Sequence, residues 1–276
     1  MISMSLMEKT KFLLRRYRIF PEKHLGQNFI VEPSIFQFIT GYGSLSQNDV
    51  VIDIGAGLGF LTRFLAGKCK HVLSVESDSR LVRILREQLK DLPNITIVEG
   101  DILKVRLSPF DKVVSAPPYY ISSPLLLWLF NKNFECAVLI FQKEFANRLV
   151  APIGSKDYGW LTVTTYYHAE VELLNEVART MFYPQPEVNS IVVRLTPRKP
   201  PPFILKNRAL FEQLVQALFT QRNRKVRNGV LPFIKRMDVT TTENAAKLVD
   251  LLPFHDKRIR ELTPENFGAL ANALAK

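Results

Sequence analysis

Three glycines and two acidic residues follow one another along this chain in an order that suits the binding of a small polar ligand. The glycines come directly after a short apolar run and are Gly55, Gly57 and Gly59. Glycine lets a chain turn tightly and lets a ligand approach the main chain. Glu76 ends the next apolar run, where a carboxylate can accept hydrogen bonds from both hydroxyls of a ribose. Asp101 follows the third run, near the place where an adenine amino group would lie.

The spacing of the glycines limits what the ligand can be. A dinucleotide-binding loop needs a further small residue at position 60, where this chain has Phe60. The bulky ring disfavours an NAD-dependent enzyme and favours a ligand without a pyrophosphate, such as S-adenosylmethionine. A glycine-rich turn followed by unrelated surface acids is the alternative, and three features in this order make it the weaker one.

A proline-rich turn follows a fourth apolar run and presents two aromatic rings. Its residues are Ser115, Ala116, Pro117, Pro118, Tyr119 and Tyr120. A rigid turn with exposed rings at the end of a buried strand can hold a flat substrate. The alternative is an ordinary turn whose tyrosines cover the core. Ser123 is the predicted N-cap of the next helix, with Pro124 at its first position.

The elements around these residues alternate between short apolar runs and helical stretches. The predicted strands are Val50–Ile54, His71–Val75, Ile95–Val98, Lys112–Val114 and Cys136–Phe141. The predicted helices between them are Leu58–Cys69, Arg80–Leu89 and Pro124–Phe130. This alternation predicts an α/β fold, a Rossmann-like, doubly wound parallel sheet with right-handed crossovers. Leu161–Tyr167 and Ile191–Leu195 are predicted as β-rich edge elements.

A basic, proline-rich break at residues 196–202 ends the β pattern. Helical spacing then recurs in Phe211–Phe219, Ala245–Leu251 and Pro264–Ala275. The sequence therefore predicts a catalytic α/β domain over residues 1–197, which begins with a basic arm at 1–24, and a small all-helical domain over 198–276.

The formal net charge of +11 and the isoelectric point near 9.7 indicate a polyanionic partner, either nucleic acid or an anionic membrane surface. Arg222, Arg224, Lys225 and Arg227 form a cluster that suits contacts with RNA phosphates. If this stretch is helical, residues 224 and 227 share a face. A solvated face is the alternative for any single charge run.

No apolar run approaches the ~20 residues needed to span a bilayer. Cys69 and Cys136 stand far apart, and the four histidines are scattered, so neither a disulfide framework nor a metal site is expected. This pattern fits the cytoplasm. The first twenty residues weakly resemble a transit peptide, although a basic arm on the body or on nucleic acid is the favoured interpretation.

Taken together, these motifs resemble those of the rRNA adenine N6,N6-dimethyltransferases, which include small-subunit rRNA dimethylases and macrolide-resistance methylases. The resemblance extends over most of the chain. Besides the glycine loop, the two acids and the proline turn, the similar stretches are residues 24–29, 182–190, 219–222 and 260–263. The basic helical C-terminal region favours the small-subunit class.

The resemblance implies S-adenosylmethionine as the cofactor, with adenines near the 3′ end of small-subunit rRNA as the target. The implied partner is the immature small ribosomal subunit, bound by a monomer. The implied cofactor-binding residues are Gln27, Asn28, Ile30, Gly55, Gly57, Gly59, Glu76, Asp101 and Ser115. The implied catalytic residues are Ala116, Pro117, Pro118, Tyr119 and Phe182, with Tyr119 and Phe182 stacked on the target base.

Three positions depart from the family pattern: Ala116 in the turn, and Glu187 and Asn189 in the late motif, where Lys and Asp are common. The departure in the turn bears on the chemistry. The family usually has Asn-Leu-Pro-Tyr or Asn-Ile-Pro-Tyr at the turn, whereas this chain has Ala116 in place of the asparagine that accepts a hydrogen bond from the target amine. Ser115 or a backbone carbonyl could substitute, or the enzyme could be slow or stop at one methyl group. The remaining alternative is a catalytically weak or inactive ribosome-assembly factor. Retained methyltransferase activity is the favoured hypothesis.

Overall fold

The computed structural model describes residues 4–22, 25–236 and 248–275. Its central sheet has seven strands in the order β4-β3-β2-β5-β6-β9-β7. These strands are β2 Val50–Ile54, β3 His71–Glu76, β4 Ile95–Glu99, β5 Lys112–Ser115, β6 Cys136–Gln142, β7 Ala169–Val177 and β9 Ser190–Pro197. Strands β1 Phe29–Ile30 and β8 Phe182–Tyr183 form a separate two-stranded antiparallel sheet.

Ten helices with described boundaries accompany the strands. They are α1 Leu6–Arg16, α2 Ser34–Tyr42, α3 Phe60–Ala66, α4 Ser79–Gln88, α5 Ser122–Leu129, α6 Lys143–Leu149, α7 Trp160–His168, α8 Arg208–Phe219, α9 Val226–Arg236 and α10 Pro264–Leu274. Helices α3, α4 and α5 lie between successive strands of the sheet, as crossover helices do in a doubly wound fold.

Strands β4, β3, β2, β5 and β6 run parallel. Parallel sheets are covered on both faces, which explains why their strands read as continuous apolar runs. The chain order of these strands reverses between β2 and β5, and open α/β sheets bind ligands at such a switch point. The glycine loop follows β2 and the proline turn follows β5, so both predicted features lie at this point. The predicted Rossmann-like fold with C-terminal helices is confirmed.

Two predicted edge elements are wrong in detail. Leu161–Tyr167 lies in helix α7, where Leu161 and the next four residues are buried. Tertiary burial here overrides the β preference of a stretch rich in Thr, Val and Tyr. The strand at Ile191–Leu195 exists as β9, but it lies between β6 and β7 and is therefore internal. The edge strand on that side of the sheet is β7, which the sequence analysis did not predict.

The helix after the proline turn begins earlier than predicted. Tyr119–Ile121 forms a 3₁₀ turn and α5 starts at Ser122, whose Oγ donates a hydrogen bond to the carbonyl oxygen of Tyr119 at 2.8 Å. Ser123 is therefore inside the helix and not its N-cap, and Pro124 is its third residue. A proline still fits there because the first turn of a helix needs no backbone donor.

Two compact units divide the chain by their internal packing. The first contains residues 1–146 and 172–197, and the second contains 147–171 and 198–276. Compared with the sequence-based division at 197/198, the segment 147–171 joins the helical unit. There α7 packs with α8 and α10 around Tyr158, Phe211 and Phe267.

The helical unit contains a helix that the sequence analysis did not predict, α9 at Val226–Arg236. The predicted helix at Ala245–Leu251 lies partly outside the described residues. Within the part of the chain that the structure describes, no helix has both the length and the apolar character needed to cross a bilayer.

Candidate functional site

The glycine loop and the proline turn are in direct contact. Gly55 has φ +72°, and a Cβ added there would lie 2.7 Å from Cδ of Pro118. Because an L side chain rarely adopts this φ and this separation is too short for carbon atoms, only glycine fits. The packing of Pro118 on Gly55 thus fixes the end of β5 against the end of β2.

Phe29 contacts the same loop from the other side. A Cβ at Gly57 would lie 3.1 Å from the Phe29 ring. Phe29 is in β1, which pairs with β8 so that Phe29 faces Tyr183 and Ile30 faces Phe182. The short β1–β8 ladder therefore joins two sequence motifs that are about 150 residues apart and holds both beside the glycine loop.

Glu76 is buried at the end of β3, with 7% of its surface exposed. Its Oε2 accepts a hydrogen bond from the Gly57 amide at 2.9 Å, and its Oε1 accepts from the amides of Ser77 and Asp78 at 2.8 and 2.9 Å. Burial raises the pKa of this carboxyl, although the three amides oppose the rise. A carboxylate oxygen has two lone pairs, so Oε2 keeps acceptor capacity for a ligand hydroxyl.

The glycine loop, Glu76 and the proline turn border a cleft, and Gln27 and Asn28 line it as well. The Gln27 side chain accepts from the Glu22 amide at 2.9 Å and donates to Asp78 at 2.8 Å. Asn28 lines two small cavities of about 50 Å³ each, and Ala116 and Gly57 line both of them too. Ile30 lines one of these cavities. The implied cofactor-binding residues Gln27, Asn28 and Ile30 therefore each line a cavity with Ala116, the position of the missing asparagine.

Asp53 is a site residue that the sequence analysis missed. It lines a cavity with Asn28 and Ala116, is 1% exposed, and accepts a hydrogen bond from the Thr62 hydroxyl at 2.7 Å. Burial raises the pKa of the Asp53 carboxyl to about 7, against the lowering effect of hydrogen bonds from Thr62 and Ser115. An acidic residue inside the apolar strand Val50–Ile54 was the available signal, because such a residue is seldom buried without a role.

Asp101 lies two residues beyond β4, the strand that pairs with β3. The amide of Gly100 donates to the Glu76 carbonyl at 2.8 Å, which fixes Asp101 beside the Glu76 end of the cleft. Tyr120 is 56% exposed and lies near the same two acids. Its pKa is raised by burial and by the charges of Asp101 and Glu76. Tyr120 is thus a second residue that the sequence analysis left out of the site.

Ser115 cannot take over the role of the missing asparagine. Its hydroxyl donates to the Ile54 carbonyl at 2.6 Å and accepts from the Ile54 amide at 2.9 Å, and the residue is fully buried. This exchange links β5 to β2, so Ser115 supports the cofactor loop from beneath. Of the two substitutes that the sequence leaves open, only backbone carbonyls remain.

Two proline carbonyls are candidates for that role. The Pro118 oxygen accepts from the Ile121 amide at 3.2 Å, which leaves it one lone pair. The Pro117 oxygen accepts no hydrogen bond from any residue that the structure describes. Pro117 O is therefore the freer acceptor at the turn.

The two predicted base-stacking rings differ in exposure. Tyr119 is partly exposed, and its hydroxyl is 2.7 Å from Oγ of Ser190. Burial raises the pKa of Tyr119 to about 12, so the phenol stays neutral at physiological pH. Phe182 is 1% exposed and packs with Ile30 and Ala116 in the core. Tyr119 therefore offers a ring surface, whereas a contact of Phe182 with a base stays a prediction.

Known proteins that are similar to this chain identify its family. A family model described as ribosomal RNA adenine dimethylase matches residues 21–263. The chain belongs to the ribosomal RNA adenine dimethylase family. A relative from Methanosarcina acetivorans, named "Probable ribosomal RNA small subunit methyltransferase A", is 41% identical over 90% of this chain and 91% of its own length.

Two solved structures are similar over most of the chain. A dimethyladenosine transferase from Plasmodium falciparum has a TM-score of 0.76 with 26% identity, covering 88% of this chain and 95% of its own. The 23S rRNA methyltransferase ErmE has a TM-score of 0.63 with 29% identity, covering 90% and 99%. The predicted resemblance to the dimethylase family is confirmed.

The basic cluster of this dimethylase differs from its predicted form. Helix α9 begins only at Val226, so Arg224 and Arg227 do not share a helix face as predicted. Arg222 donates to the carbonyl oxygens of Ser155 and Lys156, both at 2.5 Å, and so holds a loop in place.

The other cations of the cluster face outward. Lys225 and Arg227 both contact Asp256, at 3.3 and 3.6 Å. Arg224 is exposed, and its side chain makes no hydrogen bond or ion pair with a described residue. Arg258 and Arg260 bond to Asn223 and enlarge the patch. Of the four predicted RNA-binding residues, Arg224 is the most available to a phosphate.

We predict that Gly55→Ala disrupts the cleft. The left-handed φ costs at least ~1–2 kcal/mol, and the contact with Pro118 adds to that cost. The expected result is a lower free energy of unfolding together with weaker S-adenosylmethionine binding, measured by denaturant unfolding and calorimetry. Gly41→Ala in α2 is the matched control, since nothing lies within 4 Å of its added Cβ, and it should stabilise slightly. Equal behaviour of the two variants would contradict the argument.

We also predict that Asp53 makes the free energy of unfolding depend on pH. Between pH 4 and 7 the unfolded chain ionises this carboxyl while the folded protein keeps it protonated, so its contribution to stability falls as pH rises. Asp53→Asn should remove that fall, as seen in unfolding curves recorded across this range. Asp91→Asn is the control, because the pKa of Asp91 is lowered to about 2 by Arg63, and its effect belongs below pH 4. A native-like slope in Asp53→Asn would refute the assignment.

Proposed function

We propose that this chain transfers methyl groups from S-adenosylmethionine to N6 of adenines in small-subunit rRNA, two to each target base. Family membership supports the reaction class, and the name of the Methanosarcina relative supports the small subunit as substrate. The observation that carries the proposal is the cleft at the switch point of the sheet. Its cavities are lined by glycines of the loop, by the buried Glu76, and by Ala116 and Pro118 of the proline turn.

The residues present fit the cofactor. Gly55 and Gly57 line both cavities of the cleft, and Glu76 keeps acceptor capacity for ribose hydroxyls. Gln27 and Asn28 line the same cavity as Glu76, and their side chains carry amide groups. When bound, the cofactor supplies an electrophilic methyl group on a sulfonium.

The protein's task is to activate a weak nucleophile. The lone pair of the adenine amine is delocalised into the ring, and hydrogen-bond acceptors on its protons draw it toward tetrahedral geometry. The remaining lone pair of Pro118 O is the better candidate for such an acceptor, because Pro118 lines the cleft with Glu76, whereas Pro117 is buried and lines neither cavity. Positioning of this kind lowers a barrier by several kcal/mol. A strong base is unnecessary because the nitrogen becomes cationic before it loses a proton.

With alanine at position 116, one side-chain hydrogen-bond acceptor is missing, but the backbone acceptors of the turn remain. Loss of one hydrogen bond to developing charge costs about 2.7–4 kcal/mol in oxyanion holes, which sets the scale of the penalty. Tyr119, which the family pattern also contains, still supplies base stacking worth ~1–3 kcal/mol. Activity therefore depends on the ring and on backbone carbonyls, without the side-chain acceptor of an enzyme that has the asparagine.

The finer assignments extend this proposal. The adenines lie near the 3′ end of the rRNA, the substrate is the immature small ribosomal subunit, and the enzyme acts as a cytoplasmic monomer. Unpaired loops favour such chemistry, because extruding an unstacked base costs less than extruding a paired one.

The direct test is methyl transfer from labelled cofactor to immature small subunits, with the product resolved as mono- or dimethyladenine. Tyr119→Ala should lower kcat about fivefold or more with little change in cofactor Kd. Glu76→Ala should instead raise cofactor Kd about tenfold or more, because it removes a charged hydrogen-bond acceptor. Tyr119→Phe keeps the ring and should retain most of the activity.

Glu99→Ala is the matched control for Glu76. Glu99 faces Glu76 in the β3–β4 register, but it is exposed and pairs with Arg86 at 3.0 Å. If the wild-type protein binds the cofactor and transfers no label, the inactive assembly factor replaces the enzyme. If Tyr119→Ala weakens cofactor binding as much as turnover, Tyr119 belongs to the cofactor site and not to the base site.

We predict a different pair of effects in the basic cluster. Arg224→Gln should reduce the salt dependence of RNA binding by about 0.7–0.9 in the slope of log K against log salt, without a change in melting temperature. Arg222→Gln should lower the melting temperature, because it releases the loop at Ser155 and Lys156. Filter binding at several salt concentrations and thermal unfolding measure both. Identical effects of the two changes would contradict the distinction.

A further inference from the structure

Helix α1 is a fixed part of the first unit and not a loose arm. A reciprocal capping box closes its N-terminus: the Ser5 hydroxyl accepts from the Glu8 amide at 3.2 Å, and Glu8 accepts from the Ser5 amide at 2.7 Å. Leu13, Leu14 and Ile19 are each 5% exposed and pack in a cluster with Leu58, Leu81 and Ile84. The apolar side of the helix is therefore already used by the protein itself.

The outward side of the same segment carries large exposed rings. Phe12 is 51% exposed and Phe20 is 81% exposed. On a helix, Lys9, Phe12 and Arg15 form one stripe because they are three residues apart. We call Lys9, Phe12, Arg15, Arg18 and Phe20 the α1 face.

The cations of the α1 face are unpaired. The side chains of Lys9, Arg15 and Arg18 make no hydrogen bond or ion pair with any residue that the structure describes. Neighbouring charges are occupied: Arg16 pairs with Glu87 at 3.2 Å, and Glu8 is held in the capping box. The face thus has positive charge that nothing in the described protein neutralises.

The α1 face leads directly into the cofactor cleft. Phe20 is two residues before Glu22, whose amide donates to the side chain of Gln27 at 2.9 Å. Gln27 lines the cleft beside Asp78. The exposed rings and free cations are therefore close in sequence to residues that line the cleft.

We propose that the α1 face binds a single-stranded segment of the substrate RNA, with bases stacked on Phe12 and Phe20 and phosphates at Lys9, Arg15 and Arg18. The inference rests on the proposed function for the identity of the RNA. Aromatic rings alternating with cations are the chemistry of single-strand recognition. A lipid surface fits less well, because a membrane-binding helix needs a wide apolar face turned outward, and here that face is buried. A protein partner fits less well, because interface cores are depleted of charged residues.

The test measures binding of the full chain to a single-stranded rRNA fragment that contains the target adenines. Phe12→Ala and Phe20→Ala should each weaken binding about fivefold or more, at every salt concentration. The double variant Arg15→Gln/Arg18→Gln should lower the salt slope by about 0.7 per charge. Cofactor Kd and melting temperature should not change, since these side chains are exposed.

Two controls match the variants in chemistry and exposure. Phe38→Ala removes a ring that is 49% exposed on α2, and Lys70→Gln/Lys90→Gln removes two exposed cations elsewhere in the first unit. If the test variants bind RNA as tightly as these controls, the proposed role of the α1 face is wrong. The proposed role is also wrong if the test variants lose binding to phosphatidylserine vesicles but keep their affinity for RNA. If the wild-type protein binds the RNA through the α1 face but transfers no methyl group, the proposed function is refuted. The proposed binding of RNA at the α1 face is then still supported.

Discussion

The packing of two rings on two glycines holds the site together. Pro118 lies against Gly55 and Phe29 lies against Gly57, and both glycines have a positive φ that L side chains rarely adopt. The contacts join β2, β5 and β1, and through β1 they also join β8. Segments from four parts of the chain therefore take their positions from one loop. A protein interior transmits such strain because it is close-packed, so a single added methyl group at Gly55 would displace the turn that holds the substrate.

The electrostatics of the cleft follow from the same close packing. Asp53 and Glu76 are buried on either side of the glycine loop, and burial raises the pKa of both carboxyls. The loop amides at Gly57, Ser77 and Asp78 stabilise ionised Glu76, whereas Asp53 has mainly hydroxyl donors. A cation placed between two such acids lowers the pKa of each. The cleft is thus suited to a ligand that carries positive charge.

The sequence predicted the parts of this site that depend on periodicity and order along the chain. The alternation of apolar runs and helices gave the parallel strands within one or two residues, and the glycine loop and Glu76 follow from it. What failed depended on tertiary packing. Leu161–Tyr167 has strand-forming residues but is helical because the helical unit buries it. The hydrogen bonds of Arg222 to two carbonyl oxygens could not be inferred from the sequence either, and its contact with RNA stays a prediction. Burial of Phe182 likewise could not be inferred from its motif.

The proline turn explains how the site tolerates an alanine where an asparagine is usual. Proline lacks a backbone donor but keeps its carbonyl, and its fixed φ limits the directions in which that carbonyl can point. Two prolines in succession, one packed on Gly55, therefore present acceptors that need no further ordering before the substrate binds. A preorganised acceptor costs no reorganisation during the reaction, which is the source of its effect on rate. The rigidity that the glycine loop imposes on Pro118 thus bears directly on whether the amine is activated, because Ala116 leaves backbone oxygens to perform that task.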